Sequence, residues 1–262
     1  MLASDPGKHL RPFVRAIWAS SRPVSAAVRE EKTLPDGYGN IVIRLDGSQL
    51  EMEVGQTRRS IPSAVVSGIH TQAIKKYKNC SASVGASLRP GALAMLQGGA
   101  VNFTNDNVPL ESVLPETRVL SLRQQLMDAS TPAQQVALLR AFLTDIFASA
   151  SLHPMVRYGL QNLAHDTQIS ELVKGSGLSH RYFNQLFSRS VGVTPKTYQR
   201  LLRLQRCLQL INADAQPSWI ELAQESGFAD QSHLNREFRL LAGMTPATYA
   251  DSERRAAVHI IT

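Results

Sequence analysis

The stretch that decides the fold of the second half of the chain is residues 227–249, GFADQSHLNREFRLLAGMTPATY. A similar stretch, GLSHRYFNQLFSRSVGVTPKTY, occupies residues 177–198. At an offset of 51 residues, positions that are identical in the two stretches include Asn184, Phe187, Gly192, Pro195 and Tyr198 of the earlier one. Shared spacing over this length indicates two copies of one supersecondary unit.

Each copy has the order of signals that is typical of a helix-turn-helix. A short amphipathic segment, ISELVKG (169–175) or WIELAQES (219–226), leads to Gly177 or Gly227. Ser179 or Asp230 then opens a second helix, because its side-chain oxygen can cap free backbone N–H groups. The pattern predicts two helix-turn-helix units, whose second helices enter the major groove if the protein binds DNA.

The second helix of each copy has one apolar face and one polar face at helical spacing. The residues expected to be buried are Phe183, Leu186, Phe187, Ser190 and Val191 in the first copy, and Leu234, Phe238 and Leu241 in the second. The residues expected to point outward are Arg181, Asn184, Gln185, Ser188, Gln231, Ser232, Asn235, Arg236 and Arg239. Arginine pairs with guanine and asparagine or glutamine with adenine, so these faces suit base reading, although any solvated helix also has a polar face.

Residues 153–254, and above all the stretch at 227–249, resemble the DNA-binding domain of AraC/XylS-type transcription regulators. The resemblance implies seven helices, with a long central helix at about Lys196–Asn212 joining the two units. It implies base-reading roles for Arg181, Asn184, Gln185, Gln231, Ser232, Asn235 and Arg236. It also implies double-stranded DNA and RNA polymerase as partners, and it favours activation. Positive charge for phosphate contacts is supplied by Lys196, Arg200, Arg203, Arg206 and Arg239.

Length and composition favour two domains in a protein of the cytoplasm. The 262 residues are 43% hydrophobic and carry a net charge of +7, which favours a polyanionic partner. The two cysteines, Cys80 and Cys207, have neither disulfide nor zinc spacing. We expect neither an export signal nor a membrane span. The predicted division is a regulatory or dimerisation domain at 1–150, the DNA-binding domain at 151–255 and a tail at 256–262.

The first domain is predicted to be β-rich, which makes the whole chain an α+β protein. From about Thr33 to Val113 short apolar alternations are separated by turn residues, and from Pro115 two helices, split near Thr131 and Pro132, close the domain. The pieces LPDGYGNIVIRL, SGIHTQ and VGASLRPGALAMLQGGAVNFTNDNVPLESVL resemble an N-terminal domain that precedes the same DNA-binding module in a subgroup of the family. This resemblance implies a regulatory or effector-binding domain and names no effector.

The sequence leaves open which residues of the first domain would bind a ligand or a second subunit. Comparison with cupin barrels suggests a metal, but His9 and His70 stand alone, so no metal site and no cofactor are predicted. Arg89 is a candidate for an anionic small-molecule effector, with a structural salt bridge as the favoured reading. The amphipathic stretch Ala133–Phe147 suits either a homodimer contact or packing on its own sheet, and packing is favoured.

Two other functions compete with DNA reading. An enzyme, such as an alkyl-transfer repair protein with an attached DNA-binding module, needs a reactive cysteine, and neither Cys80 nor Cys207 has such a setting. No nucleophile elbow or phosphate-binding glycine loop occurs either, so no enzymatic activity is predicted. The other alternative is a protein-interaction module that does not read DNA.

Overall fold

The computed structural model describes residues 2–21, 28–48, 50–54, 57–78, 82–96, 104–164, 167–213, 218–252, 254–256 and 258–261. Its strands within these ranges are β1 (Leu2–Ser4), β2 (Val14–Ser21), β3 (Arg29–Thr33), β4 (Gly39–Arg44), β5 (Leu50–Val54), β6 (Thr57–Ser60), β7 (Ala64–Ser67), β8 (Ile74–Lys78), β9 (Ala82–Leu88), β10 (Asn107–Pro109), β11 (Arg254–Ala256) and β12 (His259–Ile261). They form two antiparallel sheets, in the orders β1-β2-β9-β4-β7-β10 and β11-β12-β3-β8-β5-β6. The sequence pattern predicted strands only from about Thr33, whereas the first strand of the structure begins at Leu2.

The first sheet is the middle layer of the β-rich domain, because both of its faces are covered. Along β4, Ile41 and Ile43 are buried in the large core that the helices close. Val42, between them, packs on the other side with Val65 of β7 and Met52 of the second sheet. An unbroken run of β-branched residues suits such a strand, because successive side chains point to opposite faces and both faces are covered.

Two helices close this layer, α1 (Glu116–Asp128) and α2 (Pro132–Ile146). Thr131 caps α2, and its hydroxyl accepts from the backbone N–H of Gln134, whose side chain reaches back in a capping box. Val136, Leu139 and Leu143 are buried, and α2 packs on β2. The predicted split near Thr131 and Pro132 is confirmed, and α2 packs on its own sheet.

The C-terminal region contains seven helices within the described residues, the number that the family resemblance implied. They are α3 (Pro154–Ala164), α4 (Ile169–Ser176), α5 (His180–Val191), α6 (Pro195–Ala213), α7 (Trp219–Glu225), α8 (Gln231–Ala242) and α9 (Pro246–Ala250). Helices α4 and α5 form the first helix-turn-helix, and α7 and α8 form the second. The central helix α6 extends one residue beyond the predicted Lys196–Asn212 at each end.

The chain returns to the first domain after α9, where the sequence predicted only a tail at 256–262. Strands β11 and β12 form a hairpin, and β12 pairs with β3 so that Ile260 lies opposite Lys32. Ile260 is buried, and Nδ1 of His259 lies 2.6 Å from a carboxylate oxygen of the buried Glu31. Three-residue strands carry no readable period, and the partner strand lies more than two hundred residues earlier, so sequence could not reveal this pairing.

Candidate nucleic-acid interface

The two recognition helices, α5 and α8, begin and end in the same way. The hydroxyl of Ser179 accepts from the backbone N–H of Tyr182 at 3.3 Å, and the carboxylate of Asp230 accepts from that of His233 at 2.7 Å. Gly192 and Gly243 end the helices with left-handed backbone, at φ of 94° and 65°. These capping residues fix where each helix starts and stops.

The buried faces of the two helices are also equivalent. Phe187 of α5 contacts Tyr198 with ring centroids 6.0 Å apart, and Phe238 of α8 contacts Tyr249 at 5.8 Å. The interplanar angles are 55° and 56°. The repeat that is seen in the sequence is therefore a repeat of core packing, which turns the same face of each helix outward.

The outward face of α8 gathers the predicted residues into one shallow groove. Ser232, Asn235, Arg236 and Arg239 line it together with Leu240. Gln231, at the first position of the helix, is exposed. Leu240 is 55% exposed, and it was not among the residues predicted to lie on this face. Its signal in the sequence is position: three- and four-residue spacing places Leu234, Phe238 and Leu241 on the buried face and leaves Leu240 beside it.

The outward face of α5 carries Arg181 and Gln185, both exposed. Asn184 is half-buried, and its amide nitrogen lies 2.9 Å from Nδ1 of His180. Tyr182, next to Arg181, is 51% exposed and was not predicted. The first turn of α5 thus presents hydrogen-bonding groups beside an aromatic ring.

The cations of the central helix α6 differ in their surroundings. Lys196 is exposed, whereas Arg203 and Arg206 are half-buried. Nε of Arg200 lies 2.6 Å from a carboxylate oxygen of Glu237 on α8. Arg200 was predicted to contact phosphate, but here it joins α6 to α8, because Glu237 lies on the side of α8 that faces α6.

The first domain reaches the surface between the two recognition helices. Thr71, Gln72 and Thr104 share one cleft with Ser188 of α5 and with Arg200 and Leu240. No sequence pattern predicted this approach, since Thr71 and Thr104 lie in loops far from the helix-turn-helix repeat.

Arg89, His9 and His70, the residues of the first domain considered for an effector or a metal, lie in different surroundings. Arg89 is exposed, and its Nε donates to the backbone carbonyl of Arg11 at 2.7 Å. This partner is a carbonyl, whereas the structural salt bridge that the sequence favoured needs a carboxylate. His9 is exposed. Nε2 of His70 lies 2.9 Å from the Ser67 hydroxyl, and burial lowers the pKa of His70 to about 4. Among the described residues, no group of three or more His, Cys, Asp or Glu side chains is arranged to hold a metal.

The thiol of Cys207, a candidate nucleophile in the sequence, is fully buried. Cys207 is buried in α6, and burial raises its pKa to about 12, with the nearby Ser226 hydroxyl acting in the opposite direction. A reactive cysteine needs a stabilised thiolate and access, and Cys207 has neither. Cys80 lies outside the described residues. In the described part of the chain, no helix has the length and apolar character needed to cross a membrane.

Two family models match the chain. One, described as a helix-turn-helix domain, matches residues 172–252, which hold most of α4 and all of α5, α6, α7, α8 and α9. The other, described as a domain of unknown function (DUF6597), matches residues 3–109, which hold the first sheet and most of the second. The two matches correspond to the helical and the β-rich parts of the structure.

Curated relatives that match are described as transcription regulators. The chain is 36% identical over 89 residues to the probable transcriptional regulator LumQ of Photobacterium leiognathi, covering 34% of this chain and 36% of LumQ. It is 33% identical over 88 residues to the putative HTH-type transcriptional regulator YkgA of Escherichia coli (strain K12), covering 34% of this chain and 36% of YkgA. The matches thus span about a third of the length of these relatives.

Among solved structures, ToxT from Vibrio cholerae is similar with a TM-score of 0.48 and 10% identity, over 89% of this chain and 96% of ToxT. A similarity of this size carries no inference about function.

Proposed function

We infer that this chain, whose C-terminal region is an AraC-type helix-turn-helix domain behind an N-terminal domain of unknown function, is a sequence-specific DNA-binding transcription regulator. The observation that carries the proposal is the equivalence of α5 and α8. Both helices are capped alike, buried through the same aromatic pair, and polar on the outward face.

The two recognition helices are proposed to read successive major-groove segments on one side of the duplex. The central helix α6 has 19 residues and is therefore about 28 Å long at 1.5 Å per residue. Successive major-groove segments are about 34 Å apart along one side of B-DNA, a distance of the same order as the length of α6.

Base reading is assigned to residues in the first two turns of α5 and α8, and phosphate binding to the flanking cations. The proposed base-reading residues are Arg181, Asn184, Gln185, Gln231, Ser232, Asn235 and Arg236. Lys196, Arg203, Arg206 and Arg239 are proposed to contact phosphate, as is Arg200 if it leaves Glu237. Action as an activator, contact with RNA polymerase, a cytoplasmic location, a homodimer and a small-molecule effector of the first domain belong to the same proposal.

Selection of bound duplexes from a random library with the full-length protein tests the proposal. We expect a bipartite motif whose halves are about one helical turn apart. Failure of folded protein to enrich any sequence would contradict DNA reading and would favour the alternative of a protein-interaction module.

Two matched arginine variants test the division of roles on α8. Arg236→Ala should weaken binding to the selected operator by about 1–3 kcal/mol and relax specificity at one base pair. Arg239→Ala should weaken binding to all sequences alike and reduce the slope of log affinity against log salt by about one. Equal losses for both variants on operator and on random DNA would show that Arg236 does not read a base.

A further inference from the structure

The first domain donates hydrogen bonds to the same backbone position in both helix-turn-helix units. Gly192 and Gly243 are equivalent in the repeat and follow α5 and α8. The hydroxyl of Thr104 donates to the carbonyl of Gly192. Nζ of Lys32 donates to the carbonyl of Gly243 at 3.2 Å. Carbonyls at helix ends lack partners within the helix, so an outside donor can hold the end of each helix in place.

The end of α8 is also held by a backbone contact. The N–H of Ala73 donates to the carbonyl of Leu241 at 2.7 Å. Ile69, at the start of the same loop, is buried in the hydrophobic core of the helical region. The loop at residues 69–73 is therefore attached to the second unit through both polar and apolar contacts.

The loops that contact the two units are tied to each other. The amide oxygen of Asn105 accepts from the backbone N–H of Thr71 at 2.7 Å, and its amide nitrogen donates to the Thr71 hydroxyl at 2.9 Å. The backbone N–H of Asn105 donates to the carbonyl of Ile69 at 3.0 Å. Asn105 has φ of 61°, a conformation that asparagine tolerates better than most residues. Thr104 is thus connected to the 69–73 loop through its chain neighbour.

We propose that the first domain is a bracket that sets the distance between the two recognition helices, with Thr104, Asn105, Thr71 and Lys32 as positioning residues. The inference rests on the proposed function and deepens it. If α6 alone joined the two recognition helices, they could adjust to operators with different distances between the half-sites. Because the first domain also holds the C-terminal end of each recognition helix, the protein accepts one half-site spacing. The bracket therefore determines specificity for spacing, although none of its residues needs to touch a base.

The test measures affinity against half-site spacing with the full-length chain. The duplexes carry both half-sites of the selected operator, at the selected spacing or with one or two base pairs added or removed, or a single half-site. We expect wild type to prefer the selected spacing by about tenfold, since each added base pair shifts and rotates one half-site against the other. Thr104→Val and Lys32→Met should each reduce this preference at least threefold and leave single-half-site affinity unchanged.

Matched variants separate positioning from a general effect on structure. Thr104→Ser keeps the hydroxyl and should retain the wild-type spacing preference. Thr117→Val and Lys8→Met change exposed residues and should do the same. An unchanged spacing preference in folded Thr104→Val and Lys32→Met would overturn the bracket, as would an equal loss at every spacing and on the single half-site. If wild type bound no duplex, the proposed function itself would fail.

Discussion

At the residue scale, Gly192 and Gly243 each end a helix and accept a hydrogen bond from the first domain. Each adopts a left-handed backbone that costs other residues about 1–2 kcal/mol. Each thereby ends a recognition helix and turns its carbonyl toward the first domain, where Thr104 and Lys32 donate to it. A Cβ at Gly243 would lie 3.0 Å from Nζ of Lys32, so the end of the lysine side chain would have to shift by a few tenths of an ångström to accommodate it.

The reactivity of Cys207 follows from its enclosure. With a pKa raised to about 12 by burial, about one thiol in 10⁴ is ionised at pH 8. We expect a Cys80→Ser variant to show no reaction with Ellman's reagent at pH 8 while native, and to release one equivalent of thionitrobenzoate in denaturant. Rapid stoichiometric reaction of the native variant would contradict this and reopen the reading of Cys207 as a nucleophile.

At the element scale, the central helix α6 connects the two helix-turn-helix units and contacts both. Its first half buries Tyr198 against Phe187 of α5, and its second half buries Cys207 and Leu208 beside the second unit. Arg200 adds a polar link to α8 through Glu237. Apolar contacts with both helix-turn-helix units and one ion pair to α8 therefore hold α6 in place.

The link between Arg200 and Glu237 should be visible in stability. Arg200→Met removes the partner of a mostly enclosed carboxylate and should lower the free energy of unfolding by about 1 kcal/mol, since the arginine is partly screened by solvent. Lys196→Met, at an exposed position of the same helix, should change it by less than about 0.5 kcal/mol. Urea titrations measure both values. Equal stability of Arg200→Met and wild type would show that the pair contributes nothing.

At the scale of the whole molecule, a few residues of the β-rich part join the hydrophobic core of the helical part. Leu34 and Ile69 of the first part are buried with Phe183, Phe187 and the other core residues of the helices. The terminal hairpin adds Ile260 to the same core while pairing with β3. Strand β12 therefore connects the helical core to β3 of the first domain.

Shared burial predicts that both parts unfold together. The chain has two tryptophans, Trp18 on β2 and Trp219 on α7, so Trp219→Phe and Trp18→Phe each leave a reporter in one part. We expect the fluorescence of the two variants to give the same urea midpoint, because cooperative units share a single transition. Circular dichroism checks that each substitution leaves the midpoint unchanged. Two separated midpoints would show that the shared core does not couple the parts.

The sequence by itself determined what depends on local pattern. The caps Ser179 and Asp230, the split at Thr131 and the outward faces of α5 and α8 follow from periodicity and capping within about twenty residues, and the structure agrees. The repeat at an offset of 51 follows from direct comparison of two such local patterns. Only the tertiary structure decided that β12 pairs with β3, that Arg200 meets Glu237, and that Thr104 and Lys32 reach equivalent carbonyls. These contacts join residues far apart in the chain, and such partners leave no periodic signal in a single sequence.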